Sequence, residues 1–373
     1  MSATAKLWIN EVMIEESERN ILDVGIASIF RKEDKISIES ANENIPSQML
    51  YCKEFLEEDP ELSLGYYKAP LHIIRDRLEA TGYDLETCRQ AALCWEKEEY
   101  SGCWDRLIYL RLDIENFGDS AVIIYDISEL ILGEYTNYYD DFLGYENDKY
   151  KDENLLYAKN IILTEGKTDR FILEETFNLL YPHLSEYYSF LNFNDTRYAG
   201  GSGNLLNLVK AFAGIGSSDN IIALFDNDTA GEDALQQLKK LDLPKNIKVM
   251  KLPDLEILKS YPTIETTGLT TSTDINGMAA SIELYTGKDI LLQDNGNLTP
   301  IQWTGYNIKL NKYQGKILYK DKLHDRFNQK INSAKKGTNF EWEEIKLIFS
   351  TIFKLFQEEK RKIICERAKK YYS

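Results

Sequence analysis

Between residues 159 and 250 the chain alternates short, β-favouring apolar runs with longer amphipathic segments, and this rhythm restricts the fold more than any other feature. The strand candidates are NIILT, YYSFLNF, NIIALFD and IKVM; DRFILEETFNLLYPHL, NLLNLVKAFAG and GEDALQQLKKL fall between them as helix candidates. Apolar residues three and four apart mark one helix face, whereas short continuous apolar runs suit strands covered on both sides. Strands separated by helices at this spacing predict βαβ units, a parallel sheet and right-handed crossovers. The expected fold class is therefore α/β, with a parallel sheet flanked by helices.

Two acidic motifs sit where these strands stop. IILTEGKTDRF carries Glu165 and Asp169, and IIALFDNDTAGEDA carries Asp226 and Asp228. Strand ends of an α/β sheet converge at its carboxyl edge, the usual place for ligands. In extended backbone Asp226 and Asp228 share one face and Asn227 points away. Carboxylates this close repel unless a cation lies between them. Mg2+ takes one or two carboxylates and completes its shell with waters and substrate phosphate oxygens, which suits this pattern. Gly166 and Gly231 give the backbone room to turn into the following helices. Asp169 falls in the first turn of its helix, where the dipole alone favours a carboxylate.

Other chemistries are poorly supplied. The five cysteines (Cys52, Cys88, Cys94, Cys103, Cys365) form no C-x-x-C pair, and the three histidines (His72, His183, His324) are far apart in sequence. Zinc ribbons, disulfide frameworks and Ser-His-Asp triads are thus disfavoured, leaving carboxylates to do the chemistry. The 373 residues carry a formal charge of -17, against tight passive binding to nucleic acid. That charge is uneven: residues 1–150 sum to roughly -18 and residues 305–373 to roughly +9. The basic tail reads either as a solvated face or as a phosphate-backbone track. No apolar run is long enough to span a membrane and the first residues hold no signal-like apolar segment, so a cytoplasmic protein is expected.

Three regions are expected. Residues 1–150 form an acidic α+β module: LWINEVMI, ILDVGIASIF and ISIES read as strands, residues 46–100 as helical, and the acidic, tyrosine-rich stretch 133–154 as a linker. Residues 151–290 hold the sheet and the acids, with an irregular Thr-rich stretch after Pro253 and a short helix in NGMAASIELYTG stopped by Gly287. Residues 291–373 form a basic, mainly helical region. There Ile345, Ile348, Phe349, Ile352 and Phe356 define one apolar helix face.

Glu165-Gly166-Lys167-Thr168-Asp169 followed by Asp226-Asn227-Asp228 resembles the E-G-x-x-D and D-x-D motifs of Toprim domains, over about residues 158–290. The resemblance implies a Rossmann-like Toprim fold and catalysis by Glu165, Asp169, Asp226 and Asp228. It further implies Mg2+ (or Mn2+) held by Asp226 and Asp228, Glu165 as general acid/base or additional ligand, Asp169 in support, and Glu283 as a further metal ligand. The N-terminal module, YAGGSGNLLNLVKAFAG and DINGMAASIELYTG are similar to bacterial HEPN/Toprim-associated proteins implicated in phage defence. No histidine, however, follows an arginine at the spacing HEPN ribonucleases use.

The chain has no zinc motif of a primase or recombination mediator, lacks the length of a topoisomerase, and contains no G-x-x-x-x-G-K-[ST] P-loop. The expectation is thus an enzyme, a stand-alone Toprim endonuclease acting on DNA or RNA (tRNA included) as an antiphage effector. Its partners would be nucleic acid, an ATPase or sensor protein, or further copies of itself, and no membrane. A non-catalytic regulatory or scaffold subunit is the alternative; a strand-joining role lacks companion domains. Lys167 and Arg197 are candidate phosphate contacts, as are the Gly201 and Ser202 amides ahead of a helix, although a plain capping turn explains that loop equally. Asp274 is a further candidate acid, with helix capping as the plain alternative.

Overall fold

In the computed structural model, the residues described are 3–36, 65–95, 105–133, 135, 155–192, 200–265 and 267–370. Most of the 133–154 stretch and Arg197 therefore lie outside the described residues. The chain divides into two compact units, Met1–Tyr157 with Glu358–Ser373, and Ala158–Gln357. Region 291–373 is accordingly split: its residues up to Gln357 belong to the sheet unit and the remainder to the first unit.

The first unit is built on an antiparallel sheet in the order β2-β1-β4-β3, from β1 (Lys6–Ile9), β2 (Val12–Glu16), β3 (Tyr66–Pro70) and β4 (Val122–Asp126). The alternation of LWINEVMI gives the β1–β2 hairpin as expected. ILDVGIASIF does not form a strand: it contains the short helix α1 (Val24–Ala27), in which Ile26 is buried, as are Ile29 and Phe30 just after it. Asp23 explains the difference, because its carboxylate accepts the Ile26 N–H as an N-terminal cap would. ISIES lies largely outside the described residues. Helices α2 (Leu71–Ala80), α3 (Leu85–Trp95), α4 (Arg106–Asp113) and α5 (Ser128–Leu132) complete this part of the chain.

Helix α12 (Gln357–Lys370) adds a buried lysine to the same unit. The Lys360 ammonium donates to the Ala80 carbonyl, and burial lowers its pKa to about 7. In the unfolded chain the lysine titrates near 10.5, so between these values the unfolded state binds more protons and stability rises with pH. Below about pH 7 both states are charged and the full burial penalty applies. Lys360→Met is expected to stabilise the chain by about 2 kcal/mol at pH 6, with a smaller gain at pH 9, as read by urea unfolding at both pH values.

The second unit holds the predicted parallel sheet. Strands β5 (Asn160–Thr164), β6 (Tyr188–Phe190), β7 (Asn220–Phe225) and β9 (Ile247–Lys251) are ordered β6-β5-β7-β9, all parallel. Period two sorts their side chains between two layers. Leu163, Ile221, Ala223 and Phe225 pack with Leu205, Leu206 and Val209 of α7 (Ser202–Ile215) and with Ala234, Leu235 and Leu238 of α8 (Thr229–Leu238). On the other face, Thr164 and Leu224 meet Leu173 of α6 (Lys167–Leu180).

Helix α11 (Glu343–Phe353) also joins the α6 layer: Phe349 lies 5.5 Å from Phe177, and Phe353 lies 5.0 Å from Tyr188, between ring centroids. Its expected face is the buried one, Ile345, Ile348, Phe349 and Ile352, continued by Phe356.

The segments after Pro253 differ from expectation. The Thr-rich stretch forms an antiparallel hairpin, β10 (Tyr261–Ile264) and β11 (Thr270–Thr273), in which Thr263 Oγ1 lies 2.8 Å from Thr271 Oγ1. Residues 301–317, expected within a mainly helical region, form the hairpin β13 (Ile301–Asn307) and β14 (Lys312–Ile317). The four strands make a second sheet, β11-β10-β13-β14. Alternation at Ile301, Trp303, Gly315 and Ile317, all buried, was the signal for these strands. NGMAASIELYTG gives a two-residue strand β12 (Ala279–Ala280) and a 3-10 turn, Ile282–Tyr285. Gly287 does not stop a helix but precedes α9 (Lys288–Leu291) at φ 109°. From α10 (Lys320–Ala334) onward the chain is helical.

Candidate functional site

The acids meet at the carboxyl edge of the parallel sheet because β5 and β7 are neighbours in register, with Thr164 opposite Leu224. Glu165 follows β5 directly and is buried; Asp226 follows β7 and is half-buried. The Asp226 N–H donates to Glu165 Oε1 at 3.0 Å. Asp169, in the first turn of α6, turns back over Gly166 and lines a small cavity with Thr164, Leu224 and Asp226.

Past Asp226, the strand β8 (Asn227–Asp228) pairs with β12. Asn227 points away, as extended backbone requires: it is buried and its amide donates to Asp254 Oδ1 at 2.7 Å. Asp228 is the N-cap of α8, where Oδ1 accepts from the Gly231 N–H at 2.7 Å and Oδ2 accepts from Gln314 Nε2 of β14 at 2.7 Å. Position 231 must be glycine, since a Cβ there would stand 2.3 Å from the Asp226 carbonyl oxygen.

Glu283 belongs to the same neighbourhood, but its oxygens are taken. Oε2 accepts from Ser281 Oγ at 2.6 Å; Oε1 lies 3.0 Å from Lys320 Nζ and 3.1 Å from His324 Nε2. Lys320 and His324 are one turn apart on α10 and so reach the carboxylate together.

Charge divides these groups into two kinds. Burial, and then Asp169, Glu165, Asp228 and Glu283 in that order, push the Asp226 carboxyl well above its ordinary range. Burial raises Glu165 to about 8 against the opposing Asp226 N–H bond, with Asp228 and Asp169 adding to the rise. Burial and Glu283 raise Asp169 to about 7, opposed by Lys320. Glu283 goes the other way: burial would raise it, yet His324, Lys320 and Ser281 hold its carboxylate down to about 2. Among the described residues, Glu165, Asp169 and Asp226 make no ion pair.

The structure brings Glu165, Asp169, Asp226 and Asp228 together, with Glu283 beside them. Of the neighbouring carboxylates, Asp169 raises the Asp226 carboxyl most, followed by Glu165. The Gly201 amide is not a free phosphate donor. At φ 108° it donates to the Glu165 carbonyl at 2.9 Å, so the loop braces the acid-bearing turn. Ser202 opens α7 and is half-buried; Lys167 opens α6 and is exposed. Asp274 is exposed and accepts from the backbone and side chain of Asn276, a local turn rather than a helix cap. Lys320 belongs to the basic tail noted in the sequence, but its place over Glu283 was not foreseen, and His324 and Gln314 were overlooked. The four-residue spacing of Lys320 and His324 ahead of the buried Phe327 was the one available signal.

Among the described residues, no group of three or more His, Cys, Asp or Glu side chains is set to hold a metal ion. The donor chemistry of the acids still fits Mg2+. All are hard oxygens, among the described residues only Glu283 has a cationic partner, and Mg2+ needs only one or two carboxylates. No family model, curated protein or solved structure matches this chain. Among the described residues, no helix is long and apolar enough to cross a membrane.

Proposed function

We propose that this chain is a Mg2+- or Mn2+-dependent nuclease of Toprim type that hydrolyses phosphodiester bonds in DNA or RNA. One observation carries the reading: Glu165, Asp169 and Asp226 converge at the sheet edge, burial and neighbouring carboxylates raise their pKa, and they have no ion pair among the described residues. Three carboxylates crowded together, one buried and two half-buried, are rarely kept for stability's sake, because their mutual repulsion opposes folding.

Asp226, with Asp228 or Glu165, would hold Mg2+, which would supply positive charge to the scissile phosphate. Where Asp226 and Asp228 hold the metal, Glu165, oriented by the Asp226 N–H and raised to about 8 in the metal-free chain, is the group to deliver a proton to the leaving oxygen. Asp228 is fixed by Gly231 and Gln314, which holds its carboxylate in place against repulsion from Asp226. Lys320 lies over Glu283 with nearly half its side chain exposed, available to a phosphate oxygen. Likeness to HEPN/Toprim-associated proteins extends the proposal to a cytoplasmic antiphage effector with an ATPase or sensor partner.

The test is cleavage of supercoiled plasmid, single-stranded DNA and tRNA in Mg2+ or Mn2+ by the wild type, Glu165→Gln and Asp226→Asn. Metal-dependent cleavage by the wild type alone is the expected result. Identical products from all three proteins would refute the carboxylate mechanism, and no cleavage by any, with or without an ATPase partner, would favour the scaffold alternative.

A further inference from the structure

Beside the acid cluster, α6 and α10 flank an open pocket of about 240 Å3 lined by Lys167, Phe171, Ile172, His324, Phe327 and Asn328. From it we infer a subsite for a single unpaired nucleobase next to the scissile phosphate. The inference rests on the nuclease reading and deepens it.

Position comes first. His324 lines the pocket while its Nε2 contacts Glu283, and Lys167 lies two residues from Asp169. Anything seated here therefore touches the neighbourhood of the acids.

Shape and chemistry then select the occupant. Phe171 is 43% exposed on a face of α6 that elsewhere is polar, which an ordinary helix packing surface does not require. It meets Phe327 edge to face, at 6.3 Å and 78°, so at least one face of the Phe171 ring is uncovered by its neighbour. A planar aromatic ligand stacks favourably on such a face. The exposed Asn328 amide offers a donor and an acceptor to a base edge. Lys167 at the rim, opening a fourteen-residue helix, complements a phosphate attached to that base. A base stacked within a duplex presents no free face, so the occupant is a single-stranded or extruded nucleotide.

The test measures binding without divalent cation, so that cleavage plays no part. Fluorescence anisotropy compares a short oligothymidine with an abasic phosphodiester of equal length, using the full chain as wild type, Phe171→Ala, Phe171→Leu and Phe171→Tyr. The wild type is expected to bind the base-bearing strand about tenfold more tightly than the abasic one. Phe171→Ala and Phe171→Leu, the latter keeping apolar contact with Phe327, erase that preference and leave abasic binding within about twofold; Phe171→Tyr retains it. Equal wild-type affinity for both strands, no binding of either, or a preference that survives Phe171→Leu each overturns the subsite. A base preference lost in the variants of a chain that never cleaves would retain the pocket and remove the nuclease. Cleavage unaffected in a chain indifferent to bases would do the reverse.

Discussion

Asp226→Asn is expected to give a protein that unfolds later than the wild type in metal-free buffer and has lost at least about a thousandfold in Mg2+-dependent cleavage. Both effects have one origin. Asp226 is surrounded by Asp169, Glu165, Asp228 and Glu283, so its charge is costly in the folded chain and cheap in the unfolded one. The neutral amide removes that cost, a gain of about 1–3 kcal/mol near neutral pH. The sign with pH follows. A carboxyl raised on folding keeps a proton that the unfolded chain releases above about pH 4. Wild-type stability therefore falls as pH rises toward 8, through the range in which Glu165 and Asp169 titrate. Urea unfolding at pH 5 and pH 8 should show the Asn variant's advantage growing at the higher pH. A variant less stable than the wild type at pH 8 would mean that Asp226 already has a cationic partner in the apo protein.

Glu283→Ala is expected to act oppositely, costing about 3 kcal/mol at pH 7. The carboxylate is 2% exposed and holds Ser281, Lys320 and His324 together; removing it leaves a cation without its counter-ion in a crowded site. Its pKa is depressed to about 2 from 4.5, so its contribution is fully present above about pH 4.5 and is lost as pH falls toward 2. Thermal unfolding at pH 7 and pH 3 checks this, with the difference between the two proteins shrinking at the lower pH. Equal stability at pH 7 would show that Lys320 and His324 find other partners, and would return Glu283 to the candidates for direct metal ligation.

The parallel sheet was legible because its central strands β5 and β7 are unbroken apolar runs and each helix between them carries a 3.6-residue stripe. The acids were legible because they stand at strand ends, where the βαβ pattern alone dictates convergence. What stayed hidden depended on contacts distant in sequence. Glu283 is set against Lys320 and His324 by the packing of α10, and Asp228 is tied to Gln314 across 86 residues. The Gly201 amide looked available in a glycine-rich loop, but the fold spends it on the Glu165 carbonyl. The β13–β14 hairpin was missed because its buried alternation covers few residues and stops at the exposed Thr304, Gly305 and Tyr306. ILDVGIASIF misled because its apolar run suits a buried strand and a short buried helix alike, and only the Asp23 cap tells them apart.

Calorimetric titration of the full chain with Mn2+ at pH 7, alongside Asp226→Asn, tests the central claim most directly. The account predicts saturable binding by the wild type, with a heat that depends on the buffer because carboxyl protons are released, and loss of that binding in the variant. Absence of binding in both proteins, or equal binding in both, would contradict it.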